Sequence, residues 1–188
     1  MRDTESKNNI ASKKTLLIMI AVFVLPVIMA KLALENDWFN KAATNKGHLL
    51  SPTVSMAALL DTKPPKWRLM YIMPSQCNAV CENALFSINQ VWLALGKESD
   101  RAQALVITTE KSDKTALRAL ADYPNVEMLN VASTVVKDLL TSDSVYVVDT
   151  QNNAMLFYQI NQSRDSAVME SRNMLADIRK LLKLSRIG

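Results

Sequence analysis

The sequence predicts an α/β domain held behind a single membrane-spanning helix. Three observations carry this: one long apolar run near the N-terminus, strand-like and helix-like apolar patterns alternating after residue 67, and near-neutral charge over that region. The chain has 188 residues, 49% hydrophobic and 21% charged, with two Cys, one His and three Gly. That composition fits one domain of ordinary size and excludes collagen-like, low-complexity and disulfide-dense classes. The net charge is +4, but Arg2, Lys7, Lys13 and Lys14 against Asp3 and Glu5 place half of it in residues 1–14, and Lys31 adds one more. Only +1 is left for residues 35–188, so no basic domain exists and nucleic acid is not an expected partner.

TLLIMIAVFVLPVIMA, residues 15–30, is followed by Lys31 and then Leu32, Ala33 and Leu34. If Lys31 snorkels, the run reaches the roughly 20 residues that a helix needs to cross a bilayer. Pro26 is tolerated in such a helix. A cleaved signal peptide would need a small residue three before the cut, where Ile28 stands. A buried core helix would need an apolar covering surface that no nearby segment offers. Lys13 and Lys14 precede the span while Glu35 and Asp37 follow it, which makes residues 1–14 a cytoplasmic tail and 15–34 an uncleaved anchor. In a bacterium the anchor lies in the inner membrane and the remainder in the periplasm, with Trp38 and Phe39 at the outer interface.

Residues 35–66 read as a polar stalk, with a short helix over Val54–Leu60 and a stop at Lys63-Pro64-Pro65. From Trp67 the pattern changes, and 67–188 is the predicted domain. WRLMYIM, residues 67–73, alternates and is aromatic-rich, as a strand does, and Pro74 ends it. Val80, Cys81, Ala84, Leu85, Ile88, Val91, Trp92 and Leu95 recur at helical spacing up to Gly96. ALVITT, residues 104–109, is an apolar run suited to a strand buried on both faces. Ser112 or Asp113 caps a helix to about Asp122, with Pro124 beyond it. Val126–Val131 is a third strand and Ser133–Leu140 a short helix or turn. Val145–Asp149 and Met155–Ile160 flank Thr-Gln-Asn-Asn, a hairpin whose Asn pair tolerates left-handed geometry. Asp165 or Ser166 opens a last helix to about Leu184. Parallel strands joined by helices and closed by a hairpin and a helix describe a thioredoxin-like domain.

The two cysteines are Cys77 and Cys81, at the handover from the first domain strand to the first long helix. A helix N-terminus favours a thiolate at Cys77, and Cys81 follows one turn later, in reach for a disulfide or a shared soft metal ion. Glu82 opposes this, because a neighbouring carboxylate raises thiol pKa values. An inert bridge is the alternative, but closing so short a loop restrains the unfolded chain little. Both cysteines are therefore candidate catalytic residues and candidate ligands of a soft ion, Cu(I) or Zn(II). Met70 and Met73 could add a thioether. The basic last helix, with Arg172, Arg179, Lys180 and Lys183, reads as a solvated face.

The membrane anchor, the strand WRLMYIM, Pro74, the Cys-x-x-x-Cys of Cys77 and Cys81 opening a helix, and VYVVDTQNNAMLFY together resemble the Sco (SenC) proteins of cytochrome c oxidase assembly. The resemblance spans about residues 67–184. It implies a membrane-tethered thioredoxin fold that carries copper to the oxidase or reduces its cysteines, with Cys77 and Cys81 as the two thiolate ligands and an oxidase subunit or assembly factor as partner. The family's third ligand, a His before the hairpin, has no counterpart. Thr141 stands near its place, and no His follows His48. Asn78 replaces the Pro common after the first Cys, and the strand pair ahead of the Cys-bearing strand is shortened or missing in residues 40–66. Two thiolates alone hold Cu(I) but leave Cu(II) poorly coordinated, and His48 in a polar linker reads as solvated. The chain is thus expected to be an assembly factor of metallochaperone type or a thiol–disulfide oxidoreductase working through the dithiol. A non-catalytic scaffold is the reading from another class. A general periplasmic oxidoreductase is disfavoured by the three-residue spacing.

Overall fold

The computed structural model describes residues 3–35, 45–136 and 140–185. Two units separate, residues 1–44 and 45–188. The first contains α1 (Asp3–Glu35), with Pro26 inside it. Its stretch Lys13–Ala33 is long and apolar enough to cross a membrane. Leu16, Phe23, Leu25 and Ile28 are all exposed there, an all-round apolar surface that suits lipid.

The second unit holds β1 (His48–Ser55), α2 (Ala57–Leu60), β2 (Trp67–Ile72), α3 (Ala79–Leu95), β3 (Ala102–Thr108), α4 (Lys114–Ala119), β4 (Val126–Asn130), α5 (Ser133–Val136), β5 (Ser144–Val148), β6 (Asn153–Gln159) and α6 (Arg164–Leu184). The six strands form one sheet in the order β1-β6-β5-β2-β3-β4. β2, β3 and β4 are parallel, while β5 runs antiparallel to β2 and β6, and β1 antiparallel to β6. This is the α/β arrangement expected from residue 67 onward.

The stalk expectation is corrected here. Residues 45–66 belong to the folded unit: β1 is an edge strand, pairing His48 with Phe157 and Val54 with Ala154. The helix expected over Val54–Leu60 begins only at Ala57. Residues 36–44, with Trp38 and Phe39, lie outside the described residues, as do 137–139 of the short helix expected over 133–140. Pro52 is compatible with β1 because an edge strand does not need every N–H for the ladder.

The alternation in β2 sorts the core into two faces. Leu69, Tyr71 and Met73 share a core with α3, α4 and α6 through Ile88, Ala116, Met174 and Ile178. Met70 and Ile72 turn the other way, onto Met56, Leu59 and Leu60 around α2. Arg68 lies on β2 and is 0% exposed. Its guanidinium donates to Gln103 Oε1 at 2.9 Å, to the Pro64 and Lys66 carbonyls at 2.5 and 3.2 Å, and to Asn152 Oδ1 at 3.2 Å. Gln103 in turn donates to Glu127, which pairs with Lys63 at 2.5 Å. Burial lowers the Arg68 pKa, opposed by the charge of Glu127. Arg68→Met is expected to lower stability by about 3 kcal/mol in chemical denaturation, because four acceptors lose their donor. A loss below about 1 kcal/mol would mean that water replaces the guanidinium.

The hairpin turns at Asn152, which has φ 65°. Asp149 Oδ1 accepts from the N–H groups of Gln151 and Asn153, both at 2.8 Å. Ser163 caps α6, two or three residues ahead of the predicted start.

Candidate functional site

β2 and β3 are parallel neighbours, so the loops that follow them leave the same edge of the sheet. The first carries Cys77 and runs into α3, and the second runs through Ser112 and Asp113 into α4. Asn78 is the N-cap of α3, its side chain accepting from Val80 N at 3.1 Å and Cys81 N at 3.3 Å. A Pro at that position has no such acceptor, so Asn78 supplies a cap. Cys77 thus sits one residue ahead of the cap and Cys81 in the first helical turn.

The two cysteines form a disulfide, with Cα atoms 5.1 Å apart. Cys81 is 1% exposed and its sulfur lies 3.7 Å from Met73 Sδ. Cys77 is only partly buried and lines a cleft of about 460 Å³. Cys77 borders the cleft, whereas Cys81 is closed off from solvent.

The second loop fastens the first in place. Ser112 Oγ donates to the Met73 carbonyl at 3.0 Å, and Asp113 N–H donates to the Pro74 carbonyl at 2.9 Å. Asp113 Oδ2 accepts Cys77 N–H at 3.0 Å, while its Oδ1 caps α4 through Thr115 and Ala116 at 2.8 and 3.1 Å. These donors, that of Cys77 first, hold the Asp113 carboxyl below the usual aspartate range. The docking it contributes is therefore complete above the ordinary aspartate pKa and is lost as pH falls through the lowered folded value. Sequence reading placed Asp113 only as a helix cap. Its link to Cys77 follows from the adjacency of two parallel strand ends, which the sequence alone does not state.

The other expected donors are distributed unevenly. Met73 adjoins Cys81, but Met70 packs on the opposite face of the sheet. His48 is in β1, its ring 5.2 Å from that of Phe157, which corrects its placement in a linker. Thr141 N–H donates to the Tyr146 hydroxyl at 3.0 Å and Thr141 Oγ1 donates to Asp143 at 2.5 Å. Ser142 and Asp143 then border a second cleft, of about 300 Å³, with Pro74 and Asn78. Among the described residues no group of three His, Cys, Asp or Glu converges.

A family model described as a transmembrane-like, thioredoxin-like, C-terminal domain matches residues 67–185. The chain belongs to that family. The thioredoxin-like fold is shared with yeast Sco1, at 18% identity and TM-score 0.52 over 68% of this chain and 86% of that one. Copper-bound ScoI of Bradyrhizobium japonicum is similar at 17% identity and TM-score 0.44, over 67% and 97%. A secreted disulfide oxidoreductase of Mycobacterium tuberculosis is similar at 16% and 0.45, over 66% and 94%. No curated protein matches the sequence significantly. In this thioredoxin-like family member, Cys77 and Cys81 stand where the first parallel strand enters its helix, as the sequence placed them.

Proposed function

We propose that this is a single-pass inner-membrane protein with its N-terminus in the cytoplasm and residues 45–185 in the periplasm, assisting cytochrome c oxidase assembly through the Cys77–Cys81 dithiol. The observation that carries the reading is a disulfide beyond the C-terminal end of β2, a strand parallel to β3, with Cys77 on a cleft and Cys81 buried. The charges of Lys13 and Lys14 before the span and of Glu35 and Asp37 after it support the orientation.

In exchange, the Cys77 thiolate attacks a disulfide of the partner, forming a mixed disulfide and releasing one partner thiolate. The Cys81 thiolate then attacks the Cys77 sulfur. The internal disulfide forms, the second partner thiolate leaves, and two electrons have passed to the partner. In the cargo version the reduced pair holds Cu(I), and the Met73 thioether beside Cys81 adds a third soft donor. The donor set fits Cu(I) and lacks the nitrogen and oxygen ligands that suit Cu(II).

In cells, the Cys77→Ser, Cys81→Ser double variant is expected to lose most oxidase activity while accumulating normally in the membrane. Intact oxidase activity would instead establish the scaffold reading. Titration of the reduced full chain with Cu(I), read by sulfur-to-metal charge-transfer absorbance, separates the cargo version from exchange alone.

A further inference from the structure

We infer that the cleft beside Cys77, between α3 and α4, binds the partner polypeptide around its reacting cysteine and selects one flanked by an apolar and a basic residue. This rests on the exchange reading and names its substrate class. The apolar lining of the cleft is Leu85 and Ala116, both buried, with half-buried Tyr123 and exposed Ala119 beside them, and it has room for a side chain. Its rim beside the sulfur is acidic. Asp113 spends both oxygens on N–H donors, whereas the Glu82 side chain is exposed and has no partner among the described residues.

The far rim is Arg164, whose guanidinium is already held, 3.4 Å above the Phe86 ring and donating to Asn83 Oδ1 at 3.0 Å. Asn83 is fixed by the Asn161 and Gln162 carbonyls, both at 2.9 Å. Arg164 keeps its positive charge but is pinned on Phe86 and Asn83, while Glu82 and Asp113 leave the cleft net negative, with Glu82 the carboxylate that has no partner among the described residues. An apolar side chain on the apolar lining and a cation at Glu82 would bring the intervening sulfur to Cys77. The smaller cleft beside Ser142 does not include Cys77, so it offers no reacting sulfur at its wall.

The test uses the reduced full-length chain in detergent and tripeptides whose cysteine carries a thionitrobenzoate mixed disulfide. Attack by Cys77 releases thionitrobenzoate, read by its absorbance. Leu-Cys-Arg is expected to react about tenfold faster than Gly-Cys-Glu, the low end for one buried apolar contact plus a weak surface pair. Each rate is divided by that of the small reagent 5,5′-dithiobis(2-nitrobenzoate) to remove effects on the thiol itself. Ala119→Trp, at an exposed position on α4, is expected to collapse the ratio for Leu-Cys-Arg. Ser142→Trp at the other cleft should preserve it, and Glu82→Lys should shift preference toward a glutamate beside the cysteine. Equal peptide rates in the unaltered chain, or a preference lost in Ser142→Trp and kept in Ala119→Trp, would overturn the proposal. No reaction even with the small reagent would overturn the exchange reading beneath it.

Discussion

Cys77→Ser is expected to reduce exchange with a disulfide reagent by on the order of a thousandfold or more, the scale seen when a covalent nucleophile is removed. Cys81→Ser should behave differently. It keeps the attacking sulfur at the cleft, so the first step proceeds. With no resolving thiol the mixed disulfide then persists, detectable by mass spectrometry as a stable adduct at Cys77. The asymmetry follows from burial: Cys81 is 1% exposed and packed on Met73, so it cannot substitute as the first nucleophile. Cys77→Ser reacting as fast as the parent chain would mean that the loop opens enough to expose Cys81. The rigid picture of two loops held by Asp113 would then fail.

The same site shows which parts of the protein could be read from residues alone. Elements from Trp67 onward are locally consistent, in that apolar period, caps and turn residues agree. Asn152 in its hairpin and Leu95 before Gly96 fall where their chemistry predicts. β1 was hidden because HLLSPTVS contains a proline and turns only Leu50 and Val54 toward the core. Its pairing with β6 is interrupted between Leu49 and Val54. Periodicity has little to detect in such a strand, and its reason to exist lies in β6, about a hundred residues later. Buried Arg68 is opaque for a similar reason, since its acceptors come from residues 64, 66, 103 and 152. The placement of the cysteine pair was legible because it is local, a spacing at a strand-to-helix switch. The contact of Asp113 with Cys77 was not, because it joins two loops 36 residues apart.

The largest stability effect is expected at Asp177 on α6, where the chain enters the domain. One oxygen, Oδ2, accepts the Tyr158 hydroxyl at 2.6 Å, Lys46 N–H at 2.7 Å and Gly47 N–H at 2.9 Å. Burial first, and then this bond to Asp177, push the Tyr158 phenol pKa up. Asp177→Ala leaves three donors without an acceptor, two of them buried, at a cost of about 4 kcal/mol. For a domain of this size that corresponds to a fall in Tm of roughly 10 °C. Tyr158→Phe removes one donor and leaves the carboxylate with the other two, so about 1 kcal/mol is expected. Gly47→Ala should resemble Asp177→Ala, since a Cβ there would lie 2.5 Å from Tyr158 Cζ. Either the Gly47 backbone or the buried Tyr158 ring would have to shift, and each is a donor to the carboxylate. Because both substitutions break one contact, the double variant should lose clearly less than the sum of the two. Full additivity in denaturation experiments would show that Gly47 and Asp177 act separately. Lys46 and Gly47 directly precede β1, so what this carboxylate holds is the attachment of the edge strand that the sequence concealed.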